Sequence, residues 1–218
     1  MPDADLALFH TLGAIGLIGS ALLFVADVVL VYSPVPLARF NVFSVAPDKT
    51  DSRLAWGSLL GVAAIPLVLA GFAHMYLALR PAGPWLALPP VLLGFAAYIV
   101  GAGFHAVVPL YVVAIQETRA TDANAAPLVS RMSKVFVPLQ RGLFALVRLS
   151  SLWLMVTRLA GHSAYPRWMA AVSPLTCIVV FRVVMRVAPP AVVGVLFPAG
   201  NNLALMIFLI CSLAVVGS

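Results

Sequence analysis

The chain has 218 residues, of which 63% are hydrophobic and only 9% are charged, and its mean hydropathy is +1.08. Soluble domains carry about 25% charged residues, so this composition excludes an ordinary water-exposed surface and predicts a protein whose solvent is lipid. The net charge of +6 does not indicate nucleic-acid binding, because the basic residues lie mostly at the ends of apolar runs. Membrane topology and anionic lipid headgroups favour that placement. We therefore expect membrane lipids, and no nucleic acid, as partners.

Long apolar runs, separated by short segments that contain proline and glycine, follow one another along the chain. A helix that spans a bilayer needs roughly 20 such residues. The runs are continuous rather than alternating, which favours helices over the strands of a barrel. The sequence therefore predicts an all-α fold, a polytopic transmembrane helix bundle that forms a single domain over residues 1–218. Six spans are predicted, at residues 7–32, 54–79, 85–114, 135–157, 168–187 and 190–216.

The distribution of lysine and arginine predicts the orientation of the bundle. The segments after the first, third and fifth spans carry eight of these residues near the span ends, and the segments on the opposite side carry three. Because cytoplasmic segments are enriched in lysine and arginine, we expect both termini to lie outside the cytoplasm. The eight are Arg39, Lys49, Arg53, Arg119, Arg131, Lys134, Arg182 and Arg186, and the three are Arg80, Arg158 and Arg167.

A few ionisable residues remain inside the predicted spans, where each costs several kcal/mol unless it is paired or hydrated. Counting about 1.5 Å per residue from the cytoplasmic ends places Asp27, His105 and Arg141 within roughly 5 Å of one another in depth. Arg148 lies two helical turns beyond Arg141 and on the same helix face. A layer of aspartate, histidine and arginine is suited to proton transfer or to binding an anionic headgroup.

We therefore predict Asp27 and His105 as catalytic residues. The predicted substrate-binding residues are polar and lie at this depth or next to it: Tyr32, Glu117, Arg141, Arg148, Asn201 and Asn202. No metal and no cofactor is expected, because HExxH and HxxxH motifs are missing and because His74 and His105 differ in predicted depth by roughly 22 Å. The same layer is also open to a structural interpretation, as a polar clamp between helices.

Four segments carry a family resemblance: LIGSALLFVADVVLVYSPV (17–35), GAGFHAVVPL (101–110), AYPRWMAAVSP (164–174) and PAGNNLALMIFLICS (198–212). Over nearly the whole chain they resemble a bacterial family of six-span integral membrane proteins of unknown function. One departure is Ala199-Gly200, where a tryptophan or glycine is expected beside the asparagine pair. The resemblance supports the helical fold and the choice of Asp27, His105, Asn201 and Asn202. It implies no activity. Separately, we expect the chain to lie in a bacterial inner membrane.

Three functions are compatible with these features. The first, which we rank highest, is a small membrane enzyme or binder that handles a lipid-like or isoprenoid amphiphile in an intramembrane polar pocket; the sequence does not decide whether the chain is an enzyme. The second is a small proton-coupled transporter or channel, for which a chain without internal repeats would require a homo-oligomer. The third is a non-catalytic membrane assembly protein. A membrane-open cavity beside Asp27 and His105 would favour the first function, a water-filled vestibule the second, and a closed bonded cluster the third.

Overall fold

The structure, a computed structural model, describes residues 3–34, 49–120, 126–161 and 163–216. Arg39, one of the residues used to predict the orientation, lies outside these ranges. Within them the regular secondary structure is entirely helical, which confirms the predicted all-α bundle. The α-helices are α1 (Asp3–Val31), α2 (Asp51–Leu79), α3 (Pro84–Ala120), α4 (Ala126–Leu159), α5 (Pro174–Val184) and α6 (Pro190–Val215), and two 3₁₀ helices occupy Arg80–Ala82 and Arg167–Val172.

Five helices of the described ranges, namely α1, α2, α3, α4 and α6, are long and apolar enough to cross a membrane. Large apolar side chains on their outer faces are exposed, with Val135 of α4 at 75% as an example. Such a surface is unfavourable in water, whereas lipid tails are as apolar as the side chains themselves. The five helices are therefore compatible with an integral membrane protein.

The predicted fifth span, residues 168–187, is not one continuous helix. The chain is extended at Ser173, between the second 3₁₀ helix and α5, because the following residue is Pro174, and a proline disfavours helical geometry in the residue before it. The 11 residues of α5 measure about 16 Å, which is shorter than the roughly 30 Å of a hydrocarbon core. The prediction of six continuous spans is therefore not confirmed. Helix α5 packs beside α6, where Phe181 approaches Gly200 and Met185 contacts Val193.

Pro90 does not break α3, because a side chain of α4 binds the carbonyl group that this proline leaves free. Pro90 has no N–H to donate to the carbonyl of Leu86, four residues earlier. The Thr157 hydroxyl of α4 donates to that carbonyl at 3.2 Å. The Ser150 hydroxyl of α4 also donates to the carbonyl of Pro90, at 2.6 Å. These bonds fix α4 against α3 near one end of the bundle.

Helix α1 makes its most extensive contact with α2 and lies beside α6 on another face. Glycines allow the first pair of helices to approach closely, since a Cβ at Gly16 would overlap the backbone of Gly71. The last carbonyl groups of α1, which have no partner within the helix, are bound by basic side chains from the start of α2. Lys49 donates to Tyr32, and Arg53 donates to Val29 and Tyr32. These contacts hold the end of α1 that carries Asp27.

Candidate functional site

His105 lies on α3 at a point where a proline leaves its carbonyl group free. Pro109 has no N–H to donate to the His105 carbonyl, and the Ser58 hydroxyl of α2 donates to it at 2.7 Å. The imidazole ring packs against α2 at Gly61, where a Cβ would overlap the ring. The ring is 7% exposed. Contacts on both the backbone and the ring therefore fix the position of His105.

The carboxylate of Asp27 on α1 receives side chains from two other helices. His105 Nε2 lies 3.3 Å from Asp27 Oδ1, and Asn202 Nδ2 of α6 donates to Asp27 Oδ2 at 2.6 Å. The Tyr98 hydroxyl of α3 donates to Asn202 Oδ1 at 3.1 Å. These four side chains form what we name the Asp27 cluster: Tyr98, Asn202, Asp27 and His105. The cluster connects α1, α3 and α6.

The surroundings of the two ring nitrogens of His105 favour Nε2 over Nδ1 as the nitrogen that carries a proton. Within the described ranges Nδ1 has no hydrogen-bond partner, and it faces Gly61. A proton on Nδ1 would therefore be buried without an acceptor, which is costly. A proton on Nε2 is donated to the carboxylate instead. The carboxylate of Asp27 then accepts from two side-chain donors, His105 and Asn202.

A cavity of about 130 Å³ lies beside the Asp27 cluster, between α1, α3, α4 and α6. Among the described residues, Asp27 is the one aspartate, glutamate, lysine or arginine on the cavity wall, and the rest of the wall is mainly apolar. The amides of Gln140 and Asn201 also lie on the wall and make no hydrogen bond to any described residue. They are therefore available to a ligand. Aromatic rings cover much of the remaining wall and come from Tyr98, Phe104, Phe136, Phe144 and Phe197.

The structure brings four of the eight predicted site residues to the cavity wall: Asp27, His105, Asn201 and Asn202. The predicted layer of aspartate, histidine and arginine does not form, because Arg141 is exposed on the outer face of α4. Arg148 is exposed on the same face. A depth count gives the height of a residue along a helix and not the side to which the residue points, and this explains the difference.

The remaining two predicted residues lie away from the wall. Tyr32 is beyond the last turn of α1, and its ring is 3.1 Å from the position that a Cβ on Gly194 would occupy. Its contact is therefore with the start of α6. Glu117 is exposed near the end of α3. Neither residue contributes to the cavity wall.

Two polar residues of the cavity wall, Tyr98 and Gln140, are missing from the predicted site. Tyr98 precedes His105 by two helical turns and so lies on the same face of α3; this spacing could have identified it. Gln140 is a polar side chain inside the predicted fourth span, and such residues are default candidates for function.

A second buried polar cluster is centred on His74 of α2, at the opposite end of the helices. His74 Nδ1 lies 2.8 Å from the Phe9 carbonyl oxygen, and Nε2 lies 2.6 Å from Ser212 Oγ. The Tyr165 hydroxyl is 3.0 Å from Ser212 Oγ. Burial raises the pKa of this hydroxyl more than the hydrogen bond to Ser212 lowers it. These residues, which we name the His74 cluster, join α1, α2, α6 and the segment after α4.

Arg158 lies next to the His74 cluster and is fully buried. The sequence predicts that Arg158 lies in a connecting segment, whereas the structure places it inside α4. Its guanidinium carbon is 4.7 Å from the centre of the Phe208 ring. A cation–π contact of this kind stabilises a charge that is removed from water. His74 and His105 belong to separate clusters, and within the described ranges no three His, Cys, Asp or Glu side chains converge to hold a metal ion.

The chain matches the family of unknown function DUF6796 over residues 7–217, and it belongs to that family. No curated protein and no solved structure matches it. The match agrees with the family resemblance of the sequence and supplies neither an activity nor a substrate.

Proposed function

We propose that this chain, as a member of the family of unknown function DUF6796, binds a membrane amphiphile in the cavity beside the Asp27 cluster. The observation that carries the proposal is an apolar cavity whose wall includes two unpartnered amides, Gln140 and Asn201, next to the Asp27 carboxylate. An apolar cavity of about 150 Å³ takes up a benzene-sized molecule. The cavity, at about 130 Å³, therefore accommodates part of an amphiphile, and the remainder would lie between helices in the membrane.

The geometry supports binding more directly than catalysis. A general base needs a ring nitrogen within reach of the substrate, whereas His105 directs Nε2 at Asp27 and Nδ1 at Gly61. The geometry also favours binding over a purely structural role. A polar clamp that only joins helices has no need of a void, and the cavity with its available amides argues against that role.

Two glycines of α3 provide a matched test. Gly101 lies on the cavity wall, and a Cβ there would meet no atom within 4 Å. Gly103 has the same open space but is exposed and away from the wall. Gly101→Leu should therefore place a larger side chain at the cavity wall from a Cβ that meets open space, and Gly103→Leu should leave the cavity open.

The probe for this test is a monoacylglycerol with a diazirine in its acyl chain, photolysed with the protein in neutral detergent and located by peptide mass spectrometry. We expect labelling of cavity-wall peptides in the wild type and in Gly103→Leu, and a decrease of about tenfold or more in Gly101→Leu. Equal labelling of the two variants, or the absence of labelling on the wall of the wild type, would contradict the proposal.

A proton-coupled carrier is the second candidate, because the Asp27 carboxyl group lies on the cavity wall and its side chain is 17% exposed. Intramembrane carboxylates are typical of proton relays. In liposomes that contain a pH-sensitive dye, a carrier would show probe-dependent proton movement that Asp27→Asn abolishes. If the probe binds and no proton movement is detected, the carrier is rejected and binding of the amphiphile remains the proposed function.

We also propose that the chain lies in a bacterial inner membrane with both termini outside the cytoplasm. The excess of lysine and arginine near one set of span ends supports this orientation. In a background without Cys177 and Cys211, a cysteine at Ala160 should react with a membrane-impermeant maleimide in intact cells, whereas one at Lys134 should not. The opposite pattern would invert the orientation.

A further inference from the structure

The C-terminal part of the chain is free of acidic residues. Residues 123–218 contain eight lysines and arginines and no aspartate or glutamate. Of the seven acidic residues in the chain, Asp27 alone lies inside a predicted span. Cations on α4 and α5 therefore have no carboxylate within their own half of the protein. A second copy of the chain would not supply one within the spans either, because its one acid inside a predicted span, Asp27, is the partly buried partner of His105.

Two arginines of α4 stand next to the cavity wall. Arg141 follows Gln140 and Arg148 follows Val147, and both of these preceding residues line the cavity. The side chains of Arg141 and Arg148 are exposed, and neither makes an ion pair or hydrogen bond with any described residue. The two arginines therefore stand one position along α4 from cavity-wall residues and outside the wall itself.

A third arginine approaches the same edge from α5. The guanidinium carbon of Arg182 is 5.3 Å from the centre of the Phe197 ring, and Phe197 lines the cavity. Arg182 is exposed and interacts electrostatically with Arg148 across the boundary between α4 and α5. These three residues, Arg141, Arg148 and Arg182, form what we name the arginine rim.

Like charges that lie close together in a medium of low dielectric constant repel each other strongly. An anion between Arg148 and Arg182 would convert this repulsion into two attractions. Guanidinium groups bind phosphate through paired hydrogen bonds, which makes phosphate the best-matched anion. We infer that the arginine rim binds the phosphate group of an amphiphile whose apolar part occupies the cavity; the inference rests on the proposed function.

The test compares two probes that share the same diazirine acyl chain. One is the neutral monoacylglycerol, and the other is its phosphate ester, a lysophosphatidic acid. The wild type in neutral detergent should bind the phosphate probe about tenfold or more tightly than the neutral probe, as charge-assisted hydrogen bonds predict. Arg148→Gln with Arg182→Gln should reduce the affinity for the phosphate probe to that for the neutral probe.

Arg131→Gln with Arg186→Gln is the matched control, because it removes the same two charges from exposed positions away from the cavity wall. This control should keep the preference for the phosphate probe, and melting in detergent verifies that both double variants are folded. If both double variants lose the preference equally, the phosphate probe is attracted by the overall positive charge. Arginines that extend only towards bulk headgroups would have the same effect. This outcome would overturn the inference.

The remaining outcomes separate this inference from the proposed function. If the wild type labels its cavity wall with both probes but shows no preference, the arginine rim does not bind phosphate and the amphiphile cavity stands. If neither probe labels the wall, the proposed function fails. If inorganic phosphate displaces the phosphate probe as effectively as unlabelled lysophosphatidic acid does, the rim binds soluble phosphate and the amphiphile inference is overturned.

Discussion

His105 Nε2 and Asp27 Oδ1 lie 3.3 Å apart, and each of the two side chains is held by a different neighbouring helix. The ring of His105 packs against Gly61 of α2, and the carboxylate of Asp27 accepts a hydrogen bond from Asn202 of α6. The contact therefore depends on the assembly of four helices. This dependence makes the Asp27 cluster sensitive to single substitutions that leave each helix intact.

Exchanging Asp27 and Asn202 should show whether the cluster depends on the hydrogen bond between them or on the position of the carboxylate. Asp27→Asn leaves one carbonyl oxygen to accept from both His105 and Asn202, and we expect a loss of about 1–3 kcal/mol of stability. Asn202→Asp places two carboxyl groups against each other at a contact that measures 2.6 Å in the wild type. The double variant restores a donor for every acceptor. Unfolding in detergent should show that it is more stable than either single variant, and additive losses would contradict the assigned hydrogen-bond directions.

Gly61→Ala should displace the His105 ring, because the added Cβ would overlap it. Overpacking at a buried contact costs about 1–3 kcal/mol, and the melting temperature in detergent should fall accordingly. Gly103→Ala is the control, since its Cβ meets open space and alanine favours the helix by up to about 1 kcal/mol. A Gly61→Ala protein as stable as Gly103→Ala would show that the ring does not depend on this contact.

Ser58→Ala should cost about 1 kcal/mol, because the His105 carbonyl would lose the donor that replaces the missing N–H of Pro109. In a Pro109→Ala background the backbone N–H returns and binds the same carbonyl. The cost of Ser58→Ala should therefore be smaller in that background, and a double-mutant cycle of unfolding energies measures the difference. Equal costs in the two backgrounds would disprove the compensation.

Ser212→Ala should lower stability without affecting the cavity. It removes the partner of His74 Nε2, and a buried nitrogen without a partner costs about 1–3 kcal/mol. The His74 cluster contributes no residue to the wall of the cavity beside Asp27, so labelling by the monoacylglycerol probe at a temperature well below melting should match the wild type. Reduced labelling of the folded variant would instead show that the two clusters are coupled.

The sequence predicts how deep a residue lies along its helix. It predicts only in part which side of the helix the residue faces. The positions of Asp27 and His105 at a common depth follow from the lengths of the apolar runs, and their contact agrees with that count. Arg141 lies at a suitable height but points outside the cavity wall, whereas its neighbour Gln140 lies on that wall. On a helix, neighbouring residues point about 100° apart, so a small rotation of α4 decides which of the two enters the site.

The sequence by itself determined that this is an all-helical chain suited to lipid, because long apolar runs with few charges have one stable arrangement in a bilayer. It also placed Asp27 and His105 inside the spans and at a common depth. Only the tertiary structure decided that α5 is a short helix beside α6, that Arg158 is buried and that a cavity lies next to Asp27. Those features depend on how the helices rotate and tilt against one another, and packing between distant residues sets these angles.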